Sequence, residues 1–76
     1  MKELVEFLCT ELVDDPGAVS VTESYDDRGP VYHVRVADGE LGKLIGRGGR
    51  TAKAIRTVVR AAASKRNLSA RVDFED

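Results

Sequence analysis

The spacing of apolar residues changes period along this chain, and that change restricts the available folds more than any other feature. Leu4, Val5, Leu8, Leu12 and Val13 recur at helical spacing over residues 2–13, with Lys2, Glu3, Glu6, Thr10 and Glu11 on the polar side. Asp14-Asp15-Pro16-Gly17 combines acids, a φ-restricted proline and a glycine, which ends the helix and turns the chain. The period then drops to two. Val19, Val21 and Tyr25 alternate with Ser20, Thr22 and Ser24, and Tyr32, Val34 and Val36 alternate with His33 and Arg35, so two strands are predicted. Asp26-Asp27-Arg28-Gly29-Pro30 is the predicted turn between them, making the pair antiparallel.

Helical spacing returns in the second half. Asp38 is placed to cap a short helix that carries Leu41, Leu44 and Ile45 on one face, and Gly46 ends it. A longer helix follows from Arg50 to Lys65, with Ala52, Ile55, Val58, Val59 and Ala62 inward and Arg50, Lys53, Arg56, Thr57 and Arg60 outward. Asn67-Leu68-Ser69 closes it, and Ala70, Val72 and Phe74 alternate with Arg71 and Asp73 as a last strand. The order is α-β-β-α-α-β within a single α+β domain, residues 1–76.

With 76 residues, folding buries only about 60 % of the surface that the unfolded chain exposes. One core fits; an internal substrate cavity does not. A composition of 42 % hydrophobic and 33 % charged residues belongs to a globular domain rather than a disordered tail. Cys9 is the sole cysteine, so no internal disulfide forms and no oxidising compartment is needed. No apolar stretch approaches the roughly 18 residues of a membrane span, and Met1 to Thr10 has an acidic helical pattern rather than that of a signal peptide. The expected location is the cytoplasm, with no membrane partner.

The net charge of −1 conceals a division. Residues 1–40 hold ten acids and three bases, and residues 41–76 hold nine bases and three acids. All nine of those bases lie between Leu41 and Val72, a stretch without Asp or Glu. Partners respond to such a local field rather than to the overall pI of about 5.8. Within the basic stretch, Leu44-Ile45-Gly46-Arg47-Gly48-Gly49-Arg50 sets a glycine-rich turn among cations and ahead of a helix. Arg47, Arg50 and Lys53 crowd the N-terminus of that helix, where the macrodipole is already positive and each cation is unfavourable by roughly 0.3–1 kcal/mol. A solvated helix face is one account of this run. The other is an anion site, where backbone N–H groups, the helix end and two or three cations meet a phosphate.

Other chemistries find less support. Phe7, Tyr25, Tyr32 and Phe74 all lie outside the loop-helix block, which disfavours an aromatic stacking platform and favours an aliphatic groove. His33, the only histidine, stands on the polar phase of a strand with no Cys or second His nearby, so no metal site is assigned. Arg35 shares its face. Cys9 is read as a small packing residue. The loop lacks the Lys-Ser/Thr that ends a Walker A motif, and Gly46 to Thr51 fails the G-x-G-x-x-G pattern at Thr51. No Ser/His/Asp set, acid pair or metal cluster is visible, so neither an enzyme, a small-molecule substrate nor a cofactor is expected.

Leu44-Ile45-Gly46-Arg47-Gly48-Gly49, between two helices and followed by Ile55, resembles the G-x-x-G loop of a KH domain. That loop clamps the backbone of about four single-stranded nucleotides while their bases lie in an adjacent groove. The element order resembles the type II, prokaryotic form of the fold, which implies a three-stranded sheet with helices packed on one face. Gly42-Lys43-Leu44-Ile45-Gly46 with Arg50-Thr51-Ala52-Lys53-Ala54-Ile55-Arg56 resembles the small single-domain bacterial RNA-binding proteins of the KhpA type over nearly the whole chain. The resemblance makes Gly46 and Gly49 the fixed glycines, with Arg47 and Gly48 at the variable positions. It implies phosphate contacts from Lys43, Arg50, Lys53 and Arg56, and it divides Leu41, Leu44, Ile45 and Val34 or Val36 between core and groove wall. Gly48 leaves Arg47 as the only loop cation and raises the cost of ordering the loop, which lowers affinity. The implied function is single-stranded RNA binding, as a chaperone or post-transcriptional regulator. The alternative is a protein-interaction subunit that forms a homodimer, or a heterodimer with a larger KH-domain RNA-binding protein. Arg66 and Arg71 are read as surface residues only.

Overall fold

The computed structural model describes residues 1–75, and the predicted order of elements is the observed one. Helix α1 is Lys2–Thr10, strand β1 Ser20–Asp26, strand β2 Gly29–Arg35, helix α2 Leu41–Ile45, helix α3 Arg50–Ser64 and strand β3 Arg71–Glu75. Strand β2 has the most continuous apolar run, with Pro30, Val31, Tyr32 and Val34 buried, and it takes the centre of the sheet. β1 pairs with it antiparallel, Val21 opposite Val34. β3 pairs parallel on the other side, Tyr32 opposite Val72 and Val34 opposite Phe74. A parallel neighbour needs a long crossover, and α2 and α3 supply it.

One face of the sheet meets the helices. Val5 and Cys9 of α1, Leu44 of α2 and Ile55, Val59 and Ala63 of α3 close over Val21, Tyr32, Val34 and Val72. The inward line of α3 is therefore Ala52, Ile55, Val59 and Ala63, at steps of three and four. Val58, predicted inward, is 44 % exposed, and Ala62 is half-buried. They fall to the side because the inward line turns one residue further round than the sequence pattern placed it. Cys9, read as a packing residue, is wholly buried, and burial pushes its thiol up to about 11. Burial also raises the Tyr32 phenol, with the nearby Glu23 carboxylate adding to the effect.

Several boundaries depart from expectation for local reasons. α1 stops at Thr10, leaving Leu12 exposed beyond it. The turn between β1 and β2 is shorter than predicted. Asp26, Gly29 and Pro30 belong to the strands, and the Asp26 side chain accepts the Arg28 N–H at 2.8 Å to close a tight bend. Pro30 is tolerated near the beginning of β2 because β3 joins the ladder only from Val31. Asp38 does not cap α2. Gly39 turns the chain at φ +84°, α2 begins after Glu40, and no side-chain cap bond is made there.

The opposite sheet face is polar. His33 lies between Thr22 and Asp73 in the ladder, and its ring joins three strands. Nδ1 is 2.8 Å from a Glu75 oxygen and Nε2 is 2.9 Å from Ser24 Oγ. The His33 contact, and then Arg35, hold the Glu75 carboxyl below its ordinary range. A serine, a histidine and a carboxylate thus stand in series, which sequence spacing did not reveal because the strand register is long-range. Ser24 is exposed on the strand surface, and the contacts serve as a clip across the sheet. Among the described residues no group of three or more His, Cys, Asp or Glu is placed to hold a metal.

Candidate nucleic-acid interface

The turn from α2 into α3 is built from backbone that only glycine adopts easily. Gly46 has φ 75° and ψ 173°, and a Cβ there would strike the Thr51 side chain and lie 2.8 Å from the Thr51 nitrogen. Gly48, at φ 63°, and Gly49, at φ 80°, are left-handed, and Gly49 N–H donates to the Gly46 carbonyl at 3.2 Å. Gly48 is therefore more than a source of looseness: its left-handed backbone makes the turn. Gly46 itself adopts an extended positive-φ conformation rather than the helical left-handed one that follows many helices.

This turn delivers α3 without a side-chain cap, the Arg50 N–H donating to the Arg47 carbonyl. Gly49 occupies the cap position without a side chain, and no acid stands in the first turn. Arg47, Arg50 and Lys53 are exposed around that end and make no ion pair among the described residues. The helix therefore begins with its dipole and its side chains of the same sign. An anion would be attracted by both.

Lys43 is arranged differently. Its ammonium is bonded to the Asp14 carboxylate and lies 3.2 Å from Glu40 Oε1. Glu40 is buried beneath it and accepts the N–H groups of Asp14 at 2.6 Å and Asp15 at 3.0 Å. Burial alone would raise the Glu40 carboxyl, but the two amides and then Lys43 hold it below the ordinary range. Asp14, and then Glu40, raise the Lys43 ammonium. Of the cations that the sequence placed at the site, Lys43 already has its counterions.

A match to the family model described as "KhpA/KhpB, KH domain" covers residues 2–74. The chain belongs to this KH-domain family. Curated relatives named RNA-binding protein KhpA include one from Clostridium perfringens, 47 % identical over 97 % of this chain and 99 % of the relative. Another from Halalkalibacterium halodurans is 45 % identical over the full length of both. A third, from Streptomyces coelicolor, is 45 % identical over all of this chain and 92 % of its own. No solved structure matches significantly.

In this KH domain the residues divided between core and groove wall now separate. Leu44 and Val34 are fully buried and belong to the core, while Leu41, Ile45 and Val36 are half-buried at its margin. Arg56 does not point freely into solvent: its Nε donates to the Val72 carbonyl at 3.2 Å. Arg71, read as surface only, is ion-paired with Asp26 across the sheet. The Arg56 contact escaped sequence reasoning because α3 and β3 approach through tertiary packing, although the helical phase of Arg56 beside Ile55 and Val59 was a usable hint.

Proposed function

We infer that this chain binds single-stranded RNA, with the turn Gly46 to Gly49 holding the backbone and Arg47, Arg50 and Lys53 neutralising phosphates. The observation that carries this is the acid-free start of α3, which has no side-chain cap, is reached through three positive-φ glycines and is ringed by cations that make no ion pair among the described residues. The KhpA/KhpB family match and the name of its relatives agree with it. Ile45, at the margin of the core, fits a groove wall. Arg56 adds charge further along α3, while Lys43 stays in its acidic clasp. Such a module acts by binding rather than catalysis, in the cytoplasm, as a chaperone or regulator of RNA.

Titration of short RNAs against salt tests the clamp. With three or four phosphates neutralised, log K falls against log salt with a slope of roughly −2 to −3. A flat dependence removes the phosphate clamp.

One observation favours assembly as well. Leu8, Leu12, Ala54, Ile55 and Val58 line a largely apolar cleft between α1 and α3 that reaches Arg50 and Thr51 at the start of α3. A second copy or a larger KH-domain partner set on it would place two clamps in one particle and raise their effective concentration. Light scattering of the wild type and of Val58→Asp tests this: an assembled wild type and a monomeric variant support it, and a monomeric wild type with no larger partner bound removes it.

A further inference from the structure

The sequence keeps the aromatic residues outside the loop-helix block, but the fold brings one of them onto a cation of α3. Phe74 lies opposite Val34 on the inner side of β3, and the Arg56 guanidinium carbon sits 5.1 Å from its ring centroid. The Nε bond to Val72 anchors the same group to the edge strand. A ring beside the guanidinium and a hydrogen bond from it together restrict where that planar group can lie, as a flexible lysine ammonium could not be restricted. Its ordering therefore precedes any ligand. Arg56 also borders a notch of about 200 Å³ at the edge of β3, shared with Arg60, Ala70, Arg71, Val72 and Asp73. Arg60 has no ion-pair partner among the described residues.

We propose that Arg56, backed by Phe74, is the surface on which one unpaired base of the bound strand stacks, inside this notch. This rests on the backbone-clamp reading above and adds base contact to it. Unpaired RNA bases stack on arginine planes as they do on aromatic rings, and their edges accept hydrogen bonds that Arg60 can donate. Arg56 is six residues along α3 from Arg50, about 9 Å at the helical rise, so the stacked base belongs to a nucleotide close to the clamped backbone. A phosphate would need only charge at position 56. A base needs the plane.

The test uses the full chain and the tightest-binding RNA from a mixed pool of octamers, about twice the length of a four-nucleotide clamp. Each nucleotide in turn is made abasic, and affinity is read by fluorescence polarisation. The wild type loses roughly five-fold or more at one position and little elsewhere. In Arg56→Lys, which keeps charge and stem but not the plane, intact RNA binds correspondingly more weakly and the abasic change at that position costs less than about two-fold. A flat scan of the wild-type protein overturns the proposal while leaving the clamp in place, and needs no variant that might misfold. A position-specific loss that persists in full in Arg56→Lys and in Phe74→Leu also overturns it. Absence of RNA binding by the wild type at low salt overturns the clamp reading, and this inference with it.

Discussion

Lys43 and Arg47 stand four residues apart in the same basic stretch, yet their surroundings have opposite electrostatic character. Lys43 is clasped by Asp14 and Glu40, which come from the acid-rich first half of the chain. Arg47, with Arg50 and Lys53, faces no carboxylate among the described residues, at a helix end that already repels cations. The acidic half thus does not merely offset the basic half in the net charge. It neutralises one end of the cationic surface and leaves the other open, so the effective site is smaller and more localised than a count of bases indicates.

The strongest way to break the contrast is to deform the turn that holds the open end. Gly46→Ala forces an L side chain into a positive-φ backbone and against Thr51, so a loss of at least about 2 kcal/mol is expected, with RNA binding lost alongside. For a domain of this size that is a fall in Tm of about 10 °C. Gly48→Ala is the control inside the same turn. Its Cβ meets no atom within 4 Å, so only the left-handed backbone resists it, at about 1 kcal/mol. Equal melting shifts for the two variants would show that the Thr51 approach contributes nothing.

Next in size is reversal of the open charge. Arg47→Asp is expected to leave circular dichroism unchanged and to hold or raise Tm, since an acid replaces a cation at the helix N-terminus, while weakening RNA binding by about ten-fold or more at low salt, with the salt slope shallower by at least about 0.7. An unaltered affinity would remove the loop from the binding mechanism.

Part of this contrast was legible in the sequence, and the division follows physical range. Periodicity located all six elements, and the glycine turn with its cations was visible because those residues are contiguous. The pairing of Lys43 with Asp14, the contact of Arg56 with Phe74 and the Ser24-His33-Glu75 clip depend on residues 29, 18 and 42 or fewer positions apart meeting through the sheet and helix packing. Local patterns carry no record of such meetings. The turn before Gly29 was misjudged for a related reason. Glycine and proline end strands locally, but here Gly29 passes so close to the Ser69 carbonyl that a Cβ would collide with it, and pairing overrides the local preference.

The closed end has its own pH signature. Glu40 has a depressed pKa in the folded chain, so its contribution to stability is present above the ordinary carboxylate range, near about 4.3, and is lost as pH falls through the lower folded value. Lys43 is raised, so its contribution is complete below its unfolded pKa, about 10.4, and is lost only as pH rises past the folded value. Glu40→Gln is therefore expected to lower Tm at neutral pH and to flatten the decline of Tm below about pH 5. An acid limb as steep as that of the wild type would assign the decline to other carboxylates, Glu75 first.

The smallest effect tests the contrast most directly. Lys43→Ala removes a cation from the surface that the family resemblance assigns to phosphate contact, yet that cation is already paired with Asp14 and Glu40. Its removal should change RNA affinity by less than about two-fold and leave the salt slope where it was, because no counterion is released by a group that has no phosphate to meet. The thermal effect comes from Glu40 rather than from the exposed Asp14, because the buried carboxylate loses its cation and keeps only the Asp14 and Asp15 N–H groups. A slope shallower by about 0.7 would mean that Lys43 exchanges Asp14 for a phosphate when RNA arrives. In that event Asp14→Asn should tighten RNA binding, because a competing carboxylate no longer has to be displaced. If the Lys43→Ala slope holds, Asp14→Asn should act only through the weaker, screened repulsion between its charge and the strand. The two substitutions together thus distinguish a cation held permanently by the fold from one that the fold lends to the ligand.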